Sequence, residues 1–450
     1  GVSVPIIANC SKTQTFFRRV IEDAEITKET SVVVVAHFVD SAIPFLPTLN
    51  EYCTLKAVYA KPSSILPKID QRLRSELPGV KVGTLVREKF NRNPAFFVED
   101  VFDTPAEHED MPVVLVDIGG YFAGKGVLGP RMIADALREK KYRLAGIVED
   151  TQNGHKRYAS LEAQDALRDC LVASVAHSPL KGPENHLVGV AVTFSIEAIL
   201  RQSNVVLQSR RAGVIGYGPI GSGVARTLRG RGIPVRVCEI DPIRQAQAAA
   251  EGFHVHNYSD DFASFARDLN LIVSATGAGA HIDGTVSEVV EAKFSEITNW
   301  VCPTREQQQS QFPLNLRTVR YLEPGCFVAS VTSADDEIDS NSICQNYKAL
   351  KVDNPNITRV EFMAQNSCDP HYFFLMNKGN AVNFLHGGVV GPAIELLQGE
   401  IIACIGEVVH GQSGALVRET VDSPIYSLTS ARRRRVADMW LDQYLVENMR

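Results

Sequence analysis

The chain has no surplus of positive charge. Its 46 Lys and Arg stand against 52 Asp and Glu, a formal net charge of −6, so no basic field is available to settle on a phosphate backbone and nucleic acid is not expected as a partner. No segment approaches the roughly 18 consecutive apolar residues of a membrane span, so no membrane association is expected. The nine cysteines are scattered along the chain with no C-x-x-C pair and no histidine at metal spacing. They read as reduced thiols, and no metal site is expected. The opening GVSVPIIANC lacks the positive start and the apolar length of a secretory signal, which makes the cytoplasm the expected compartment. Internal repeats and low-complexity tracts are absent. So are H-E-x-x-H, a P-loop G-K-[ST] and G-x-S-x-G, which leaves metalloprotease, kinase and serine-hydrolase readings without support. The only basic run, Arg432 to Arg435, precedes an amphipathic stretch and reads as a solvated helix start.

What is present is an ordinary globular composition, 45% apolar and 22% charged over 450 residues, long enough for two domains at about 150 residues each. Short β-branched runs recur at Ser31 to Ala36, Leu55 to Tyr59, Val80 to Val86, Val113 to Val116 and Leu144 to Val148. Helical spacing fills the gaps, as in Ala42 to Tyr52 and Met132 to Lys140. Continuous apolar strands alternating with helices predict an α/β fold with a parallel sheet covered on both faces. A long helical pattern, Val192 to Leu207, leads into a second alternation with strands at Ala212 to Ile215, Pro234 to Cys238, Leu271 to Ser274 and Cys326 to Val331. The apolar helix Ala393 to Ile405 follows a glycine-rich segment and is expected to return to the first domain. The predicted division is a substrate domain over 1–190 completed by 385–430, a cofactor domain over 191–384, and a helical tail over 431–450.

The most informative stretch is AGVIGYGPIGSGVARTLRGRGIPVRVCEIDP. A strand runs into Gly216, Gly218, Pro219, Ile220 and Gly221, a helix follows, and a second strand ends in Glu239 about 20 positions on, which is the dinucleotide-binding arrangement. The first glycine permits the turn, the second admits the pyrophosphate, and the third allows close packing, with phosphates at the helix N-terminus. Glu239 would accept from the ribose hydroxyls and repel a 2′-phosphate, so NAD is expected rather than NADP. Arg244 is a candidate phosphate contact in the same loop.

These residues, with the continuation Glu239-Ile240-Asp241-Pro242-Ile243 and QAAAEGFHV, resemble the S-adenosyl-L-homocysteine hydrolase family. Thr276 and Gly277 are similar to that family's next strand end, and NKGNAVN, closing at Asn383, to its E-G-R-L-V-N segment. Weaker echoes run through the first domain at Ala36-His37, Val116 to Gly120, Gly146 to Thr151 and Lys181 to Gly189. The resemblance implies two lobes, a tightly held NAD, a homo-oligomer and an adenine nucleoside substrate. It implies chemistry in which a sugar hydroxyl is oxidised, the neighbouring C–H is deprotonated, a substituent is expelled and the ketone is reduced back. By position it marks Thr151, Gln152 and Asn153 for cofactor contact. Lys181, Asp150, His37, Asn185 and His186 are marked for catalysis, and His37, Asp150, Lys181, Asn185 and His386 for substrate binding. A structural thiol is the reading for Cys302, with packing under the nicotinamide as the alternative.

The sequence also departs from the family. The second aspartate before Gly119-Gly120 is Ile118, the Glu-Glu-Thr-Thr-Thr run reads Glu149 to Asn153, and an Asp-Asn pair is replaced by Asn185-His186. Val190 stands at a reactive cysteine position, the adenine-holding Gly-His-Pro-Ser becomes Leu385 to Gly388, and the tail's lysine and tyrosine are not visible. Retained NAD machinery with an altered leaving-group environment leads to the expectation of a nucleoside dehydratase of nucleoside-antibiotic biosynthesis, expelling water to leave an exocyclic alkene of the angustmycin type. S-adenosylhomocysteine hydrolysis and a catalytically silent NAD-binding regulator are the alternatives.

Overall fold

A computed structural model describes residues 10–124, 129–161, 170–277, 312–332, 337–363, 370–389, 391–411 and 414–448. It is an α/β protein of two compact units, Gly1–Lys181 with Val390–Arg450, and Gly182–Val389. The strands of the first unit are β1 (Ser31–Phe38), β2 (Thr54–Ile65), β3 (Lys81–Thr84), β4 (Met111–Asp117), β5 (Tyr142–Glu149) and β6 (Leu171–Ser174). The second unit holds β7 (Ala212–Ile215), β8 (Val235–Glu239), β9 (His254–Asn257), β10 (Leu271–Ser274), β11 (Cys326–Ser330), β12 (Tyr347–Lys351), β13 (Ile357–Phe362) and β14 (Tyr372–Met376). The chain then returns to the first unit with β15 (Leu416–Arg418) and β16 (Ile425–Leu428).

In the first unit the sheet order is β3-β2-β1-β4-β5-β6-β16-β15, parallel except where β15 runs against β16. Val32 to Val35 form an unbroken apolar run because successive residues enter different cores. Val32 and Val34 pack with Phe17, Leu46 and Ile402, while Val33 and Val35 pack with Phe90, Leu115 and Ile133. Burial on both faces is what such a run requires. The second unit repeats the arrangement as β9-β8-β7-β10-β11-β14-β13-β12, parallel from β9 through β14 and closed by the antiparallel β13 and β12. In both sheets the strand order reverses at the first strand, between β1 and β4 and between β7 and β10, and such switch points open a crevice at the carboxyl ends of the strands.

The nine predicted strands are all present; β6, β9, β12, β13, β14, β15 and β16 are not predicted by the apolar runs. The long helix spans Gly182–Gln202, displaced toward the N-terminus from the predicted Val192 to Leu207. Pro183 is tolerated in its first turn, and Asn204 at φ 58 ends it in the left-handed conformation. The basic run differs from expectation more sharply. Arg432 is 3% exposed, its guanidinium 2.8 Å from Glu407 and 3.2 Å from Asp23, and Arg433 lies 3.1 Å from Glu400. The Ser430–Asn448 helix thus seals the first unit through ion pairs that its solvated appearance concealed, because the partners lie on the distant helices Cys10–Asp23 and Pro392–His410.

In the second unit the Gly182–Gln202 and Pro219–Gly230 helices cross backbone to backbone. A Cβ placed on Gly189 would stand 2.4 Å from the Gly223 carbonyl carbon, a contact that only movement of a helix relieves. Gly189→Ala recovers about 1 kcal/mol of helix propensity but loses about 1 to 3 kcal/mol to overpacking. The expected outcome is a lower thermal midpoint, measured by calorimetry; an unchanged or raised midpoint contradicts the close crossing.

Candidate functional site

The glycine turn follows β7, whose last residue Ile215 leads into Gly216 at φ +95. A side chain there would strain the backbone, and its Cβ would meet the Ala275 carbonyl oxygen at 2.8 Å. A Cβ on Gly221 would lie 2.1 Å from the Gly216 carbonyl oxygen, so the turn closes only with glycine at both places. Pro219 opens the following helix, and Ile220 and Gly221 fill its first turn. The Arg244 guanidinium stands over Gly218, its Nη1 3.3 Å from where a Cβ would be, beside the N-capping Asp241.

Glu239, at the end of β8 and 5% exposed, accepts the Tyr217 N–H at 2.6 Å, the Ile240 N–H at 2.8 Å and the Asp241 N–H at 2.9 Å. A carboxylate offers about four lone-pair positions, so three backbone donors leave one for a ribose hydroxyl. Exposed Ile240 and Ile243, 61% and 71%, flank this acidic corner. Across the switch point, Thr276 and Gly277 follow β10 and are gathered by the fully buried Glu337. Its carboxylate accepts from Ser274 Oγ, Thr276 N, Thr276 Oγ1, Gly277 N and Thr332 Oγ1 at 2.6 to 3.0 Å. Asn383 is buried, and its Oδ1 lacks a hydrogen-bond partner among the described residues. A buried acceptor left open is costly and suits an amide donor. A cradle that only glycine can form, a strand-end carboxylate and an open amide acceptor all fit NAD.

His386 of the same unit bonds through Nδ1 to Ser195 Oγ at 2.8 Å and meets the exposed Phe194 ring edge-on at 5.5 Å. Its partial burial lowers the imidazole pKa. Asn185 and His186 lie early in the Gly182–Gln202 helix. The Asn185 carbonyl is 3.1 Å from a Cβ on Gly223, which sets this turn against the helix that follows the glycine loop.

The first unit gathers Lys181, Asp150 and His37 at the carboxyl ends of its strands. Lys181, 8% exposed, donates from Nζ to Asp150 Oδ1 at 2.7 Å and to the Asp150 carbonyl. His37 lies near the end of β1, with Nδ1 2.7 Å from Ser64 Oγ. Burial, with the Lys61 and Lys181 ammonium groups, holds its imidazole pKa well below the ordinary range. His37 is therefore held in the neutral form, and the same burial and neighbouring charges weaken it as a base. Lys61, in the second half of β2, donates to the Ile118 carbonyl at 3.2 Å. Ile118 itself is buried apolar surface.

Behind this cluster the fully buried Glu149 accepts from Gly119 N, Gly120 N, Thr151 N and Thr151 Oγ1 at 2.7 to 3.1 Å. Burial and the neighbouring Asp117 charge push its pKa up to about 8. Asp117 is raised by burial too, even though the Tyr158 hydroxyl and the Phe122 N–H, at 3.1 Å, donate to it. Thr151 caps the Gln152–Ser160 helix, so Gln152 and Asn153 occupy its first turn, half-buried. Sequence reasoning missed Lys61, Glu149 and Glu337. Lys61 and Glu149 carried the signal of a charged residue ending an apolar run; Glu337 carried none. Cys302 and its neighbours 301–304 lie outside the described residues.

Residues 190–296 match the family described as S-adenosyl-L-homocysteine hydrolase, NAD binding domain. Over those residues the chain is similar to that family. NAD is the cofactor of its second unit. An adenosylhomocysteinase from Acinetobacter baylyi (strain ATCC 33305 / BD413 / ADP1) is 26% identical over 329 residues, which cover 70% of this chain and 61% of the relative. The chain thus spans less than two thirds of that relative's length. Among solved structures, dipicolinate synthase A chain from Bacillus subtilis is 12% identical, covering 86% of this chain and 97% of that one at a TM-score of 0.40. The apo-structure of D-lactate dehydrogenase from Escherichia coli is 15% identical, covering 69% and 76% at 0.32.

Two outcomes follow from the carboxylates. Glu239→Ala removes the carboxyl acceptor bonded to the turn, a loss of about 1.5 to 3 kcal/mol; NAD affinity by calorimetric titration is expected to fall about 10- to 100-fold, and unchanged affinity would exclude the carboxyl group from the cofactor site. Because folding raises the Glu149 pKa from 4.5 to about 8, the folded state holds more protons across that window and stability decreases as pH rises through it. In Glu149→Gln this pH slope, measured by denaturant unfolding between pH 5 and 8, is expected to flatten.

Proposed function

We propose that this chain is a redox-neutral enzyme acting on an adenine nucleoside, a dehydratase that removes a proton from the carbon beside a transient ketone, expels water from the carbon beyond it and reduces the ketone back. The observation that carries the reading is the Lys181–Asp150 pair beside a neutral His37, within a chain whose other unit is an NAD-binding domain. NAD, held by Gly216, Gly218, Gly221, Glu239 and the Thr276–Gly277 turn, supplies reversible hydride acceptance at a hydroxyl-bearing sugar carbon. Asp150, oriented by Lys181 Nζ, receives the hydroxyl proton as the carbonyl forms, and Lys181 Nζ holds the carbonyl oxygen. The neutral His37 imidazole takes the acidified C–H proton. The departing hydroxyl leaves with a proton as water, and the Lys61 ammonium, close enough to His37 to act on its pKa, supplies that proton. Ile118 supports dehydration over hydrolysis, because it puts apolar surface where the resemblance implies a second carboxylate, leaving one polar group fewer to bind an incoming water. Hydrolysis of S-adenosylhomocysteine is the second reading, favoured by the name of the Acinetobacter relative.

The decisive experiment incubates the NAD-loaded full chain in heavy water with a hexulose adenine nucleoside, adenosine and S-adenosylhomocysteine, each read by mass spectrometry. Loss of one water from the hexulose nucleoside with deuterium exchange is expected. In Lys181→Ala the turnover should fall at least about a hundredfold with NAD affinity retained. Homocysteine release would establish the second reading, and no exchange on any substrate would leave an NAD-binding protein without this chemistry.

A further inference from the structure

Away from the residues assigned above, three segments of the first unit bring His155, His177 and Glu419 together. His155 lies in the Gln152–Ser160 helix, His177 beyond β6, and Glu419 at the end of β15. His155 Nε2 and His177 Nδ1 both lie 3.1 Å from the same oxygen, Glu419 Oε2. One ligand atom from each residue falls within 4.8 Å of the other two. The imidazole centroids are 4.1 Å apart with planes inclined by 42°.

We propose that His155, His177 and Glu419 form a binding site for a divalent transition-metal ion of the zinc class. Two imidazoles and one carboxylate form the donor set that selects zinc, iron, cobalt or nickel over calcium or magnesium. With metal–ligand bonds of about 2.0 Å, ligand atoms around a tetrahedral zinc stand about 3.3 Å apart, and the two imidazole–carboxylate separations are close to that value. The orientation of His155 is built in. The side chain is buried, and its Nδ1 is held 2.8 Å from Ser174 Oγ, which leaves Nε2 toward Glu419; a second partner fixing the ring in this way is the usual companion of a metal-ligating histidine. Ser174 Oγ is itself anchored by the Ala176 N–H at 3.2 Å. The His177 side chain is 45% exposed, so solvent can reach the remaining coordination position.

This arrangement goes beyond the nucleoside chemistry and does not depend on it. An ion here would join the edge strand β15 to the Gln152–Ser160 helix and to the loop that continues to Lys181. The spacing in sequence hides it, because no two of the ligands share a segment.

The test uses the full chain with NAD, stripped of metal by chelator and titrated with zinc or cobalt(II) chloride, beside His177→Ala and Glu419→Gln. Elemental analysis is expected to give one zinc per chain, and cobalt to show the visible absorption of a tetrahedral nitrogen–oxygen site. Each variant should bind at least about a hundredfold more weakly while keeping NAD affinity, which verifies the fold. A wild-type chain that retains no metal in metal-free buffer, or binding equal in wild type and both variants, overturns the proposal and leaves the three side chains as a hydrogen-bonded clasp.

Discussion

Buried carboxylates that collect backbone N–H groups at the carboxyl ends of parallel strands are the constraint on which both units depend. A loop leaving a covered sheet carries donors that neither strand nor helix pairs. Glu149 takes up Gly119, Gly120 and Thr151; Glu239 takes up Tyr217, Ile240 and Asp241; Glu337 takes up Thr276 and Gly277. Each ties a glycine-bearing turn to a fixed side chain, so loops that would otherwise be pliant are positioned by buried hydrogen bonds in surroundings of low polarity. The cost is desolvation of the carboxylates, visible in the raised pKa of Glu149 and Asp117.

The same device sets apart the tasks of the two units. In the second, the carboxylates shape a cradle around a cofactor, and the side chains that complete it are small or apolar. In the first, they stand behind the loop that carries Ile118 to Gly120, and the groups facing the strand ends are cationic or neutral bases: Lys61, Lys181 and His37. A lysine locked against a carboxylate within hydrogen-bond distance, next to an uncharged imidazole, suits moving protons rather than anchoring a fixed charge.

Much of this was legible in the sequence for a physical reason: strands buried on both faces must be apolar without interruption, and a dinucleotide turn must have glycine where φ is positive or a Cβ would strike backbone. Val32 to Val35, Ala212 to Ile215, Gly216 and Gly221 illustrate both. The illegible parts have a common cause as well. β6, β9, β15 and β16 are too short for periodicity to register, β12, β13 and β14 form an antiparallel run that the parallel pattern does not anticipate, and the Arg432 pairs and the His155, His177 and Glu419 cluster join residues far apart along the chain. Glu337 gathers five donors yet sits in a polar stretch without pattern. Long-range polar convergence leaves no local trace, whereas apolar periodicity does.

The first unit is assembled from both ends of the described chain: β16 pairs with β6, and the Ser430–Asn448 helix inserts Arg432 between Asp23 and Glu407. The intervening unit is continuous in sequence. On the ribosome the middle unit can therefore complete its sheet while the flanking one still waits, its β6 edge uncovered, for residues beyond Val390. Cofactor capture by the nascent protein can thus precede completion of the first unit's sheet.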